Sequence, residues 1–275
     1  MTAVREIAVS VRSLTVLRVT EDAEVVLQVA PAGPPPAGEQ LAVTLDGVPV
    51  RLRLLPGEHG GRQHLLRCGV GELRIDYAGT VPAVPVEQVQ ERARVTEVER
   101  VVGLRPSRYC PSDRLVALAE RTFRGVGDDT ERAAAVGEHV RRSLAYVPGS
   151  SRPTTDAIDT LLAGEGVCRD FAHAVVAYCR ALLLPARLVS VYAPGLAPMD
   201  FHAVAEVAVD GSWQVLDPTG LAPRRGLVRI ATGRDAADTA FITVTRGGAD
   251  LVASAVTAVT EGDLPEDDGS PVALG

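Results

Sequence analysis

The spacing of apolar residues changes twice along this chain, and these changes restrict the folds that it can adopt. Residues 4–78 consist of short runs rich in β-branched residues, separated by turn residues and without helical spacing. Between residues 112 and 184, apolar residues recur every three or four positions, which predicts helices. After Pro185 they alternate again, as expected for strands. The sequence therefore predicts an α+β protein in which an antiparallel β unit precedes a core of helices packed on an antiparallel sheet.

Shifts in composition divide the chain into three predicted segments. Residues 1–95 are expected to form an antiparallel β-sandwich, because strands without helices have few other ways to bury one face. Prolines and charged residues around 81–94 indicate a junction, and residues 100–260 are expected to form the core. The tail, residues 261–275, has too few apolar residues to fold and is expected to be disordered.

Charge and cysteine content exclude several classes of function. All 28 positive charges are arginine, and 35 acidic residues outnumber them, giving a net charge of -7. Nucleic acid is therefore not expected as a partner. No apolar run approaches the roughly 20 residues of a membrane helix, and the first residues do not resemble a signal peptide, so a cytoplasmic protein is expected. The spacing of Cys68, Cys110, Cys168 and Cys179 predicts reduced thiols. The oligomeric state is left open.

Residues 164–173, Gly-Glu-Gly-Val-Cys-Arg-Asp-Phe-Ala-His, carry the strongest indication of chemistry. Two glycines precede a run of helix formers that ends before Pro185, which places Cys168 in the first helical turn. Unpaired backbone amides at a helix start favour negative charge and therefore a thiolate. The alternative interpretation is an ordinary buried cysteine. We adopt that alternative for the other three cysteines.

A predicted hairpin supplies two partners for this thiol. Asp210-Gly211 is a strong two-residue turn sequence, and such a turn places Val204 opposite Asp217. His202 lies two residues before Val204, so its side chain is on the same face of the sheet and diagonal to Asp217. That arrangement allows a hydrogen bond between imidazole and carboxylate. A bulge or a three-residue loop would reverse the faces.

Cys168, His202 and Asp217 together provide a nucleophile, a base and a carboxylate that orients the base. His202 is expected to take the thiol proton and to return it to the leaving group. The backbone N–H of Cys168 is a predicted oxyanion donor, and Tyr146 is a candidate for the second. The rival hypothesis is a metal site that adds His173 to these three residues. It is disfavoured because His173 lies about 140° round the helix from Cys168.

Four further residues are candidates for the site. Arg169 and Asp170 could contact substrate, although an acidic residue in a first helical turn also serves the helix dipole. Trp213 is on the same predicted face as the imidazole and carboxylate, where it either shields them from water or fills the core. Glu206 shares that face, but an exposed strand end explains it equally well.

Five segments of the sequence together resemble a known family. They are Leu104-Arg-Pro-Ser-Arg-Tyr-Cys-Pro-Ser-Asp113, Tyr146-x-Pro-Gly149, Gly164 to His173, Asp200-Phe-His-Ala203 and Trp213-x-x-x-Asp-Pro-Thr219. Over about residues 100–245 the chain resembles bacterial transglutaminase-like proteins of the papain-like superfamily of cysteine enzymes. The leading β unit resembles the N-terminal region often attached to such cores.

The resemblance implies a papain/transglutaminase-like core with Cys168, His202 and Asp217 as catalytic residues, the same three that strand pairing selects. We expect a peptide, protein or small amide substrate, and no cofactor or metal. The acidic tail lacks the ligand spacing of a calcium loop. Val204 departs from the family pattern, in which an aromatic residue is common, so the shape of the substrate channel is left open.

Three functions fit these expectations. In the first, Cys168 forms a thioester that water hydrolyses. In the second, the acyl group passes to an amine, as in an amide-forming biosynthetic enzyme. In the third, the protein is a non-catalytic scaffold whose β unit binds a partner. Hydrolysis is preferred, because water is always present and no amine pocket is identifiable from the sequence.

Overall fold

In the computed structural model, residues 7–84 and 86–274 are described, and they form fifteen strands and seven α-helices. The strands are β1 (Val9–Val19), β2 (Ala23–Leu27), β3 (Gln40–Leu45), β4 (Val48–Pro49), β5 (Arg53–Pro56), β6 (Arg62–Cys68), β7 (Gly71–Val81), β8 (Ala145–Tyr146), β9 (Glu165–Gly166), β10 (Ala186–Tyr192), β11 (Phe201–Val209), β12 (Ser212–Leu216), β13 (Val228–Gly233), β14 (Ile242–Arg246) and β15 (Ala249–Thr260). The helices are α1 (Val86–Arg92), α2 (Glu97–Gly103), α3 (Val116–Thr122), α4 (Asp129–Ser143), α5 (Ala157–Ala163), α6 (Cys168–Ala181) and α7 (Ala236–Thr239).

The strands before the junction form the predicted antiparallel sandwich. One sheet has the order β15-β1-β7-β3-β4 and the other has the order β14-β2-β6-β5. Alternate residues of β1 are buried, as expected for a strand with one face on a core. Leu17, Leu27 and Leu73 fill the space between the sheets. Asp46-Gly47, a dipeptide typical of two-residue hairpin turns, joins β3 to β4, and both turn residues have positive φ, 48° and 81°.

Two strands from the C-terminal part of the chain complete this sandwich. The sequence placed all of residues 100–260 in the core, but β14 pairs with β2, and β15 pairs with β1 from Val9 opposite Thr260 to Val19 opposite Ala249. The sandwich is therefore built from both ends of the chain. Local sequence does not specify this pairing, because the partners are more than 200 residues apart.

The core contains a four-stranded antiparallel sheet with the order β12-β11-β10-β13. Helix α6 packs across β11 and β10, with Val175 and Tyr178 against Ala205 and Val207. Residues 170–181 of this helix are all buried. The apolar stripe in the sequence predicted that burial, although α6 ends at Ala181 and not at the expected Leu184.

The sequence predicts a helix that is capped by Asp128 or Asp129 and runs to Tyr146. It predicts another that is capped by Thr154 or Thr155, runs to Leu162 and is closed by Gly164.

Both helices differ from these predicted bounds. Helix α4 begins at the expected cap, where the Asp128 side chain accepts from the N–H of Glu131, but it ends at Ser143 because Ala145–Tyr146 forms β8. The capping residue of α5 is Asp156, and not the expected Thr154 or Thr155. Among the described residues, no helix is both long and apolar enough to cross a membrane.

The sandwich and the core sheet share a hydrophobic cluster. Tyr192 of β10 packs with Val9 and Val11 of β1, and its hydroxyl donates to the carbonyl oxygen of Val29 at 2.8 Å. The predicted junction forms helices α1 and α2 between the two parts. The two units are therefore packed together and not merely linked.

The C-terminal tail is ordered, which contradicts the prediction from its composition. Val272, Ala273 and Leu274 are buried, and the N–H of Val215 in β12 donates to the carbonyl oxygen of Val272 at 2.8 Å. Few apolar residues suffice, because the surface that they cover is already formed by the rest of the chain.

Candidate active site

Cys168 begins α6, and two glycines position it. Gly164 closes α5 in the left-handed region with a φ of 71°, as the sequence predicts. Gly166 is required for a different reason: a Cβ atom there would lie 2.7 Å from the Cβ of Asp170. The chain therefore turns tightly against the first helical turn. The side chain of Cys168 is half-buried at this point.

The hairpin has the predicted register, with Val209 opposite Ser212 and Ala205 opposite Leu216. It brings the Oδ2 atom of Asp217 to 2.8 Å from the Nε2 atom of His202. Because the ionised carboxylate can only accept, Nε2 carries the proton in this bond.

The other ring nitrogen faces the cysteine. The Nδ1 atom of His202 is buried and has no partner of good hydrogen-bond geometry among the described residues. Since Asp217 occupies Nε2, Nδ1 is the nitrogen available to Cys168, whose side chain interacts with the ring. Burial opposes the charged imidazolium, but the hydrogen bond to Asp217 and the neighbouring Cys168 side chain outweigh it and raise the pKa of His202 to about 10. The arrangement favours the charged form of the imidazole.

Tyr146 is brought beside the helix start by a short parallel pairing. Strands β8 and β9 place Tyr146 opposite Gly166, and the N–H of Val147 donates to the carbonyl oxygen of Gly166 at 2.9 Å. The phenol interacts with both the sulfur and the backbone of Cys168. Burial and the negative charge at Cys168 raise the pKa of Tyr146 to about 12, so the hydroxyl remains a neutral donor at neutral pH.

Arg169 and Asp170 are occupied in holding the helix start. The fully buried carboxylate of Asp170 accepts from the N–H of Val167 and from the hydroxyl of Ser151, both at 2.9 Å. Arg169 donates to the carbonyl oxygen of Arg152 at 2.7 Å. These bonds tie the loop before α5 to the first turn of α6. Asp170 therefore has no exposed atom with which to contact substrate.

Trp213 and Glu206 belong to a buried charge cluster. The guanidinium carbon of Arg187 lies 3.9 Å from the ring centroid of the buried Trp213. Glu206 is fully buried, and Arg187 and Arg229 each donate to it at 2.7 Å. The expectation that Glu206 lies at an exposed strand end is therefore wrong. Trp213 packs beneath Arg187, and no contact between it and the imidazole is found among the described residues.

His173 does not join the other three residues. Its Nε2 atom accepts from the N–H of Ala236 at 3.1 Å, and its ring stacks on Tyr109 at 5.2 Å. Burial, together with the positive charges of Arg169 and Arg180, holds the pKa of His173 well below its usual value, so the ring is neutral. In the part of the chain that the structure describes, no group of three or more His, Cys, Asp or Glu side chains could hold a metal ion.

Comparison with known proteins agrees with this geometry. The sequence model of the Transglutaminase-like superfamily matches residues 116–218, the segment that contains the cysteine, the imidazole and the carboxylate. A solved structure from Cytophaga hutchinsonii, described as a candidate cysteine protease, is 31% identical in sequence and has a TM-score of 0.83. That match covers 98% of this chain and 94% of the other. The chain belongs to the transglutaminase-like superfamily.

Two other similar proteins have lower sequence identity to this chain. An uncharacterized protein of Mycobacterium leprae is 27% identical over 193 residues, which span 64% of this chain and 68% of that protein. The periplasmic domain of TgpA from Pseudomonas aeruginosa is 18% identical with a TM-score of 0.39, over 79% of this chain and 91% of that chain. A TM-score this low supports no argument about the site.

One residue that contacts Asp217 was not predicted from the sequence. The N–H and the hydroxyl of Thr219 donate to the Oδ1 atom of Asp217 at 3.0 and 2.6 Å. They hold the carboxylate oxygen that does not face His202. An aspartate that accepts from the backbone two residues later is a common turn motif, so the Asp-Pro-Thr spacing could have revealed it.

Proposed function

We propose that this transglutaminase-like protein is a thiol-dependent amide or peptide hydrolase. The observation that carries the proposal is the linear order of Asp217, His202 and Cys168. The carboxylate lies 2.8 Å from one ring nitrogen, and the other ring nitrogen is left to the thiol. Such an order is what nucleophilic catalysis by a cysteine requires.

In the first half-reaction, the sulfur of Cys168 attacks the carbonyl carbon of the substrate after His202 has taken its proton. The tetrahedral oxyanion accepts hydrogen bonds from the backbone N–H of Cys168 and from the hydroxyl of Tyr146, which meet at the helix start. His202 then protonates the amine, the C–N bond breaks, and a thioester is left on Cys168.

In the second half-reaction, His202 takes a proton from water as the water oxygen attacks the thioester. The C–S bond breaks, the carboxylic acid leaves, and the thiolate–imidazolium pair is restored. An amine in place of water would give a new amide by the same steps. Hydrolysis is our preferred outcome because the relative of 31% identity is described as a candidate cysteine protease.

The role of Cys168 can be tested with a second thiol as a matched control. Cys68 is also half-buried, but burial and nearby Asp22 raise the pKa of its thiol, and no imidazole interaction with it is found among the described residues. At neutral pH we expect iodoacetamide to label Cys168 faster than the other three cysteines, measured by mass spectrometry of peptides. Cys168→Ala should abolish hydrolysis of peptidyl-aminocoumarin amides and of casein, and Cys68→Ser should leave it unchanged.

Each alternative function gives a distinct result in this experiment. Hydrolysis that survives Cys168→Ala would refute the proposal. Rapid labelling of Cys168 without release of coumarin or cleavage of casein, with hydroxylamine present or absent, would support the scaffold. Acylated hydroxylamine as the main product would instead indicate transfer to an amine.

A further inference from the structure

We propose that Arg224, held by the C-terminal tail, is a positioning residue for Asp217. The inference rests on the proposed function and extends it to the way in which the triad carboxylate is held. Strand β12 ends at Leu216, one residue before Asp217, and it lies at the edge of the core sheet. The segment around Ala93 and the tail cover its outer edge, and no further strand of that sheet does so.

The contacts on this edge converge on Val215, two residues before Asp217. The N–H of Val215 donates to the carbonyl oxygen of Val272 in the tail at 2.8 Å. The carbonyl oxygen of Val215 accepts from the Nη1 atom of Arg224 at 3.2 Å. Both polar main-chain groups of this residue are thus bound outside the sheet.

Arg224 is itself fixed by the tail. Its Nε and Nη2 atoms donate to the two carboxylate oxygens of Asp267 at 2.8 and 2.6 Å, and Nη2 also donates to the carbonyl oxygen of Ser270 at 3.0 Å. Only a planar guanidinium can make these bonds and the bond to Val215 at once. Hydrogen bonds from Arg224 hold the pKa of Asp267 well below its usual value, so the pair stays charged at neutral pH.

Asp217 has few contacts of its own that could replace this support. Its side chain is 1% exposed and its carboxylate is held by His202 and Thr219. Its main chain therefore depends on the position of β12. A displacement of about 1 Å at a catalytic group can lower a rate about a hundredfold, so support at Val215 bears directly on catalysis.

The neighbouring Arg225 provides a matched control. It donates to Asp268 at 2.7 Å and to the hydroxyl of Ser270 at 2.9 Å, so it also binds the tail. No hydrogen bond from Arg225 to β12 is found among the described residues. Arg225→Gln therefore removes the same charge and a similar tail contact as Arg224→Gln, but keeps the link to Val215.

The test compares the two variants by two readouts. We expect Arg224→Gln to lower kcat for amide hydrolysis about tenfold while KM changes less than about twofold. The rate at which iodoacetate alkylates Cys168 should decline as the pH rises and the imidazolium loses its proton. We expect this decline to begin at a lower pH in Arg224→Gln than in the unmodified protein. That anionic reagent favours a cysteine beside an imidazolium, and a displaced Asp217 stabilises the imidazolium less. Arg225→Gln should change neither readout.

Asp267→Asn serves as a second variant in case Arg224→Gln does not fold. It removes the charge that holds Arg224 but keeps the guanidinium, so smaller changes in the same direction are expected. Folded Arg224→Gln protein with unchanged kcat and alkylation profile would overturn the proposal, and so would equal losses in the Arg225→Gln variant. If hydrolysis instead persists in Cys168→Ala, the proposed function fails, and the alkylation profile still tests the positioning of the imidazole by Arg224.

Discussion

The two nitrogens of His202 have separate tasks, and their separation explains the chemistry of the site. Nε2 is bound to a carboxylate that is itself held by Thr219, and Nδ1 is left without a partner of good geometry in the described chain. An imidazole oriented in this way can give and take a proton at Nδ1 while its ring stays fixed. The pKa of about 10 shows that the site stabilises the charged ring.

In the Asp217→Asn variant, the protonated ring of His202 should lose its charge at a lower pH. The variant keeps the shape of the side chain but removes the negative charge that helps to raise the pKa of His202 from 6.5 to about 10. We expect the iodoacetate labelling of Cys168 to decline near pH 10 in the unmodified protein and closer to pH 6.5 in the variant. The kcat for hydrolysis should fall about 10²- to 10⁴-fold.

Asp200→Asn is the control for the loss of a charge near the site. Asp200 is exposed and accepts from the N–H of Phe201 at 2.7 Å, without a hydrogen bond to the imidazole. In the Asp200→Asn variant, the pH profile of iodoacetate labelling at Cys168 should match that of the unmodified protein. An equal shift in both variants would show that general electrostatics, and not the bond to His202, sets the imidazole pKa.

Side chains alternate between the two faces of a paired strand, and this alternation predicted from the sequence that His202 and Asp217 lie on one face. The same alternation placed Trp213 and Glu206 on this face but could not show what they contact. Their partner, Arg187, lies on β10, and strand order is a property of the folded sheet. The alternation of side chains therefore identified the face, and the tertiary structure separated the imidazole–carboxylate pair from the charge cluster.

The first turn of α6 is the element on which the position of Cys168 depends. Asp170 accepts from the backbone at Val167, and through Ser151 it holds the loop that precedes α5. The close approach of Gly166 to Asp170 belongs to the same arrangement. The helix start is thus held by buried bonds and not only by helix propensity.

Asp170→Asn should therefore destabilise the protein. With the amide oxygen kept toward the N–H of Val167, the NH₂ group would replace the oxygen that accepts from Ser151 and from the Arg169 guanidinium at 3.3 Å, in a site where the side chain is fully buried. We expect the free energy of unfolding in urea to fall by about 2 kcal/mol. Labelling of Cys168 should slow as well, because the helix start loosens.

Asp159→Asn is the matched variant, since Asp159 occupies the same position in the first turn of α5. It accepts from the N–H of Asp156 at 3.2 Å, but it is exposed. We expect a loss of about 0.5 kcal/mol there, measured in the same urea titration. Similar losses in the free energy of unfolding for the two variants would mean that the burial of Asp170 does not increase its contribution to stability.

Local sequence predicted these elements well where the determining contacts are also local. The glycine at the end of α5, the Asp128 cap of α4 and the Asp210-Gly211 turn all act within a few residues. Strand β8 was missed, because its pairing with β9 joins residues about 20 apart and two-residue strands carry no periodicity.

A network of polar side chains connects the sandwich, the junction and the core. It is buried in the core and partly exposed where Glu99 meets His59. Glu206 binds Arg187 and Arg229, Arg187 donates to Glu99 of α2 at 2.7 Å, and Glu99 lies 3.1 Å from His59 of the sandwich. Buried pairs contribute little when complete, but the loss of one partner leaves uncompensated charge. The network therefore links the parts of the molecule through groups that cannot be removed singly.

Glu206→Gln should lower the free energy of unfolding by about 3–5 kcal/mol, because the buried guanidinium of Arg229 loses its counter-charge and that of Arg187 keeps only Glu99. Burial opposes ionisation of Glu206, but Arg187 and Arg229 outweigh it and lower its pKa from 4.5 to about 2. A lowered folded-state pKa stabilises the fold above pH 4.5, and this stabilisation is lost as the pH falls from 4.5 to 2. Urea titrations at several pH values should show that the free energy of unfolding depends less on pH in the variant than in the unmodified protein between pH 4.5 and 2.

Glu138→Gln provides the surface comparison for this prediction. Glu138 also binds two arginines, Arg141 and Arg142, but all three lie on the exposed face of α4. We expect a much smaller loss in the free energy of unfolding than at Glu206, because solvent screens exposed ion pairs. Comparable losses at Glu206 and Glu138 would contradict the importance of burial.

The sequence by itself determined the α+β class, the helix that carries Cys168 and the face shared by His202 and Asp217. Each of these follows from periodicity or from contacts between near neighbours. Only the tertiary structure decided the pairing of β15 with β1, the burial of Glu206 and the docking of the tail on β12. These features join segments distant in sequence, and their stability comes from surfaces and counter-charges that exist only once the rest of the chain has folded.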